Sequence, residues 1–214
     1  WFYPARDLLF YHADIKGAFL TGKRMEVLRA IVEKKGREAI TVVTTMDAFL
    51  DGLPSKEELC GNRIKIHAEE ALDFQKLQEN LSILGYEREN QVESPGQFAV
   101  RGGILDVFPL TEENPVRIEL WGDEVDSIRS FDVESQRSTE NLQEIEIYPA
   151  TENWKQMETE SFLAYFPVKE TILFLDEPVR LQESAEIVEK EYFHSLESRE
   201  EAGMETDEIP IQVE

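Results

Sequence analysis

From residue 25 to residue 84 the apolar positions recur first at helical spacing and then as short unbroken runs. Met25, Leu28, Ile31 and Val32 fit one face of a helix, Lys34, Lys35 and Arg37 suit its negative end, and Gly36 lies just beyond. Ala39-Ile40-Thr41-Val42-Val43-Thr44-Thr45 follows without alternation, which predicts a strand buried on both faces. A second strand, Arg63 to His67, leads into a helix with Phe74, Leu77, Leu81 and Leu84 on one stripe and Gly85 placed to end it. Alternating strands and helices of this kind predict an α/β layer.

The period changes to two from Tyr86 to about Ala150, with turn residues at Ser94-Pro95-Gly96, Glu112-Glu113-Asn114-Pro115, Gly122-Asp123 and Glu134-Ser135-Gln136. Val116, Ile118 and Leu120 share one strand face, so Arg117, Glu119 and Trp121 project from the other. Ile145 and Ile147 alternate with Glu144 and Glu146 in the same half-buried way. Beyond Pro149 helical spacing returns at Trp154 and Met157, Thr171-Ile172-Leu173-Phe174-Leu175 predicts a buried strand, and Leu181, Ala185, Val188, Tyr192 and Leu196 predict a long helix. The expected fold is α/β with a small antiparallel β-rich insertion. Residues 1–84 and 151–214 form the two parts of the α/β domain and share one sheet, and residues 85–150 form the inserted domain. Acids cluster from Glu197 onward, where a frayed end is expected.

Composition narrows the function classes. The 214 residues hold 22 Lys plus Arg against 45 Asp plus Glu, and a formal charge of -23 disfavours a non-specific binder of a phosphate backbone. Cys60 is the single cysteine, which excludes an internal disulfide and a multi-thiol zinc site and fits a reducing, cytoplasmic setting. No run approaches the roughly 18 apolar residues of a membrane span. The chain starts at Trp1 without a signal peptide or Met and reads as an excised fragment.

Candidate chemistry is sparse. Gly17-Ala18-Phe19-Leu20-Thr21-Gly22-Lys23-Arg24 has the glycine and lysine spacing of a phosphate-binding loop, but Arg24 stands where a hydroxyl should reach Mg²⁺. Asp176-Glu177 follows an apolar run, as the magnesium-holding acid and water-orienting glutamate of a nucleotide hydrolase would. His12, His67 and His194 lack paired-ligand spacing, and no G-x-S-x-G elbow occurs. No catalytic, metal or cofactor residue is assigned. What remains is the outward strand face: Trp121 beside Arg117, with Arg101 of the alternating Phe98 to Arg101 run able to add a second fork. Pattern alone leaves two readings open for Trp121, a binding hot spot or a ring packed under its own domain.

Longer stretches carry a resemblance. Tyr3-Pro4-Ala5-Arg6-Asp7, Arg24-Met25-Glu26-Val27-Leu28, the run from Pro95 to Pro109 (Pro-Gly-Gln-Phe-Ala-Val-Arg-Gly-Gly-Ile-Leu-Asp-Val-Phe-Pro) and the run from Arg117 to Arg129 (Arg-Ile-Glu-Leu-Trp-Gly-Asp-Glu-Val-Asp-Ser-Ile-Arg) resemble the N-terminal UvrB-homology module of bacterial transcription-repair coupling factors, the Mfd family. Phe131-Asp132-Val133-Glu134-Ser135-Gln136-Arg137-Ser138, Tyr148-Pro149-Ala150 and Leu173-Phe174-Leu175-Asp176-Glu177-Pro178 continue it. The resemblance implies a degenerate helicase-like α/β domain with an inserted UvrA-contacting domain. It also implies a non-catalytic adaptor that recruits UvrA to stalled RNA polymerase in nucleotide excision repair. Arg101, Arg117, Glu119 and Trp121 fall on UvrA-contacting positions, Trp121 where another ring is usual. ATP and Mg²⁺ would belong to a motor outside this chain, with no cofactor here, and RNA polymerase and double-stranded DNA would be further partners of the full-length protein. The stretch from Pro4 to Arg24 lacks the tyrosine-rich hairpin of UvrB, so damage verification is not expected. The alternatives are a nucleotide-hydrolysing domain using Lys23, Asp176 and Glu177, and a UvrB-type domain that touches damaged DNA.

Overall fold

A computed structural model describes residues 1–6, 18–34, 39–152 and 159–201, the side chains of 195, 196 and 199–201 excepted. His12, Gly17, Gly36, Trp154, Met157 and the chain beyond 201, all named in the sequence reading, lie outside the described residues. In chain order the elements begin with β1 (Phe2–Tyr3), α1 (Ala18–Val32), β2 (Val43–Thr44), α2 (Met46–Phe49), β3 (Leu53–Pro54), α3 (Lys56–Gly61), β4 (Ile64–His67) and α4 (Phe74–Ile83). They continue with β5 (Glu87–Arg88), β6 (Gln97–Arg101), β7 (Ile104–Val107), β8 (Val116–Trp121), β9 (Glu124–Phe131), β10 (Ser138–Leu142), β11 (Glu144–Ile147), β12 (Thr159–Glu160) and α5 (Pro178–Glu201). Two compact units result, one drawn from Phe10–Glu26 and Cys60–Glu152, the other from Trp1–Leu9, Val27–Leu59 and Asn153–Glu214.

The first unit is built on a six-stranded sheet in the order β10-β9-β8-β7-β6-β5. Neighbours are antiparallel except β5 and β6, which run parallel. Alternation makes one face of this sheet apolar: Phe98, Leu105, Val107, Val116, Ile118, Val125 and Ile128 are buried in one core with Leu77, Leu81 and Leu84 of α4 and Ile66, Ile145 and Ile147 of the β4–β11 pair. The helix α4 forms where the stripe predicts it. Asp73 caps it by accepting from the Lys76 amide at 3.0 Å. Gly85 ends it at φ +88°, where a Cβ would lie 2.7 Å from Thr151 Cγ2. The buried Tyr86 hydroxyl donates to the Tyr148 carbonyl at 2.9 Å, and burial pushes this phenol up from its ordinary pKa.

Helix α1 starts at Ala18, well before the Met25 expected from spacing, and Gly22 and Lys23 therefore sit inside a helix. Gly22 lets that helix approach the chain at Leu110, whose carbonyl would stand 3.1 Å from an added Cβ. Arg24 is fully buried, and its Nε donates to the Glu152 carboxylate at 2.8 and 3.0 Å. An arginine at a position where the stripe should be apolar is what hid this part of the helix.

In the second unit β1 pairs with β2 in parallel and β3 with β12 antiparallel. Tyr3 stacks on Phe162 at 4.5 Å, and the Tyr165 hydroxyl donates to the Pro54 carbonyl at 2.6 Å, which ties the two sequence-distant segments together. Three expectations need correction. The segments before and after the β-rich region do pair, but only through β3 and β12, in a two-stranded sheet separate from that of β1 and β2. Of Ala39 to Thr45 only Val43 and Thr44 form a strand, and Val43 is exposed. Thr171 to Leu175 forms no strand among the described residues, with Phe174 at 87% exposure, because an apolar run becomes a buried strand only where neighbours cover both of its faces. The long helix α5 does form, with Pro178 at its first position. Among the described residues no helix is long and apolar enough to cross a membrane.

Candidate functional site

The sheet face opposite the apolar core carries the chemistry. Register places Ala99, Asp106, Arg117 and Arg129 in one row across β6, β7, β8 and β9, and Arg101, Ile104, Glu119 and Ser127 in the next. An extra residue, Asp126, lies in β9 between the pairs Glu119–Ser127 and Leu120–Val125. The irregularity falls on β9, so β8 keeps its alternation and Trp121 stays on the face of Arg117 and Glu119. Two-residue connections at Gly102-Gly103 and Gly122-Asp123 end the β6–β7 and β8–β9 hairpins, and Gly102 and Gly122 adopt φ +61° and +65°. Strands β6 and β8 run the same way, which brings Arg101 and Trp121 to the same end of the sheet.

Asp106 is the hub of this face. Its Oδ1 accepts from Arg117 Nε at 2.7 Å, and its Oδ2 accepts from Arg117 Nη2 at 2.8 Å and from Arg101 Nη2 at 2.7 Å. Both bonds to Arg117 form across the register pair, and the bond to Arg101 is the diagonal contact expected between neighbouring strands. Arg117 also lies over the buried Phe131 ring, 4.5 Å from its centroid, and its Nη2 donates to Gln136 Oε1 at 3.3 Å. Hydrogen bonds donated to Asp106 hold the Arg117 guanidinium above its ordinary pKa against the opposing effect of burial. A second diagonal pair stands beside it: Glu119 accepts from Arg129 and, at 3.3 Å, from the Ser127 hydroxyl. At the edge of the face Asp132 accepts from the Ser135 hydroxyl and amide at 2.6 and 2.8 Å, which holds its carboxyl below the ordinary value.

Each sequence-named residue therefore has a different standing. The Trp121 ring is outside, with the residue 83% exposed, so the reading that packed it under its own domain is overturned. The Arg101 side chain is half exposed, at 51%. The Arg117 side chain is 17% exposed and engaged internally, and Glu119 is engaged by Arg129. Asp106, Arg129 and Gln136 were missed. A signal for Asp106 existed: an acid inside the run Ile104-Leu105-Asp106-Val107 is poorly suited to a strand and demands a partner. The nucleotide-site candidates lie elsewhere. The Lys23 ammonium is held by Glu26 at 2.9 Å, and Glu177, at φ 49°, accepts from Arg180 at 2.6 Å. No group of three or more His, Cys, Asp or Glu that could hold a metal ion occurs among the described residues.

These residues build an apolar-backed, mostly antiparallel sheet with a charged, ring-bearing outer face. Residues 64–153 match the family described as the UvrB interaction domain. Over 150 residues the chain is 39% identical to the transcription-repair-coupling factor of Bacillus subtilis (strain 168), which covers 70% of this chain and 12% of that protein. The transcription-repair-coupling factors of Staphylococcus aureus strains bovine RF122 / ET3-1 and MRSA252 are 35% and 34% identical over the same share. The chain is thus similar to one segment of these coupling factors and spans 12% of their length.

Proposed function

We propose that this chain is a non-catalytic adaptor whose outer sheet face docks onto UvrA and, within a longer coupling factor, links stalled RNA polymerase to nucleotide excision repair. The observation that carries the reading is the pairing of a fully presented indole, Trp121, with the half-exposed guanidinium of Arg101 at one end of the sheet in the UvrB interaction domain. Trp and Arg dominate the energy of protein interfaces because a flat ring covers much area and a guanidinium can grip both oxygens of a carboxylate. In this reading Trp121 and Arg101 touch UvrA, while Arg117 and Glu119 hold the face in shape from within. The unit containing β1, β2, β3, β12 and α5 is the degenerate helicase-like part, and the protein works in the cytoplasm. RNA polymerase and double-stranded DNA would be met by other parts of a full-length protein.

Titration calorimetry with purified UvrA tests this. Trp121→Ala is expected to weaken binding by about 2 kcal/mol, or roughly thirtyfold, with an unchanged melting transition. Wild-type affinity in both Trp121→Ala and Arg101→Ala would refute the site.

A further inference from the structure

We propose that Asp106 is the positioning residue of this face: one buried carboxylate, clamped by Arg117, that fixes the guanidinium of Arg101 in its presented orientation. The inference rests on the UvrA-docking reading for its consequence in binding, but its geometry stands alone. The Asp106 side chain is 2% exposed and its two oxygens accept three hydrogen bonds, two of them from Arg117 and one from Arg101. Arg117 is itself fixed by Phe131 beneath it and Gln136 beside it. The carboxylate therefore cannot swing towards solvent without breaking a two-point pair. Arg101 is anchored to it through Nη2 alone, which leaves the rest of the fork facing outward on a half-exposed side chain. A free arginine at a surface samples many rotamers, and ordering it before encounter removes a cost that association would otherwise carry.

Charge makes the inference separable from simpler ones. Two guanidiniums share one carboxylate, so the cluster keeps one positive charge, suited to an acidic group on the partner. Were Asp106 a mere neutraliser, Asp106→Asn would raise that charge and strengthen docking. Positioning demands the opposite sign.

Two measurements decide it. In NMR of the free protein, the Arg101 guanidinium is expected to show hindered rotation with resolved Nη signals, and the Arg117 Nε–H to exchange slowly. A fully averaged Arg101 guanidinium in the wild-type protein would overturn the proposal without any variant having to fold. In binding, Asp106→Asn is expected to weaken UvrA affinity about tenfold, the usual worth of a charge-assisted hydrogen bond, and to add nothing further in an Arg101→Ala background. Additive effects of the two substitutions, or stronger binding by Asp106→Asn, would overturn it. Absence of binding by the wild type, or wild-type affinity in both Trp121→Ala and Arg101→Ala, would instead remove the docking reading, and the NMR result would still decide whether Asp106 orders Arg101.

Discussion

Asp132 and Gly85 illustrate how single residues shape this domain. The Ser135 hydroxyl and amide both donate to Asp132, favouring its charged form and lowering its pKa. The sign follows: the turn is supported at every pH above the ordinary carboxylate value of about 3.9 and loses that support as pH falls through the lower folded value. NMR titration should find Asp132 below the ordinary range and Ser135→Ala should move it upward; an unmoved midpoint would remove Ser135 as the cause. Gly85 is required twice over, by φ +88° and by Thr151 standing where a side chain would begin. Gly85→Ala is expected to cost about 2 kcal/mol in urea unfolding. At this scale the sequence was legible for Trp121, whose direction follows from alternation alone. For Asp106 the sequence signalled only that a partner is needed; its partners lie on β6 and β8 and become visible only with the register of three strands.

Among the elements, α1 and the segment 171–175 show where pattern misleads. The first half of α1 buries Gly22 and Arg24, neither of which reads as core, so helical spacing could be seen only from Met25. What makes Arg24 tolerable there is Glu152, nearly buried itself and 2.8 Å away. Glu152→Ala should therefore remove the two-point partner of a buried guanidinium and destabilise the unit by about 3 kcal/mol, whereas replacing both residues by Met and Leu should recover most of the loss. Thermal unfolding of the single and double variants checks this. The strand expected at 171–175 failed for the reverse reason: its composition suits a buried strand, but burial is conferred by neighbours, which a local run cannot reveal. By contrast α4 was legible because its stripe and its stopping glycine are both local signals.

For the molecule as a whole, a charge of -23 coexists with an outer sheet face that gathers Arg101, Arg117 and Arg129 around two carboxylates. Exposed apolar side chains elsewhere, Ile172, Leu173, Phe174 and Leu175 foremost, form no part of that face. Phe174→Ser is accordingly expected to reduce binding of an apolar dye while leaving UvrA affinity unchanged; a parallel loss of affinity would show that this segment takes part in docking. The docking claim itself meets its most direct test in tryptophan fluorescence. With Trp1 and Trp154 replaced by Phe, Trp121 becomes the sole indole. Its emission is expected to be that of a solvated ring, open to a soluble quencher, and to shift to shorter wavelength and become protected when UvrA is added. Saturating UvrA binding that leaves both the emission and the quenching unchanged would contradict the account.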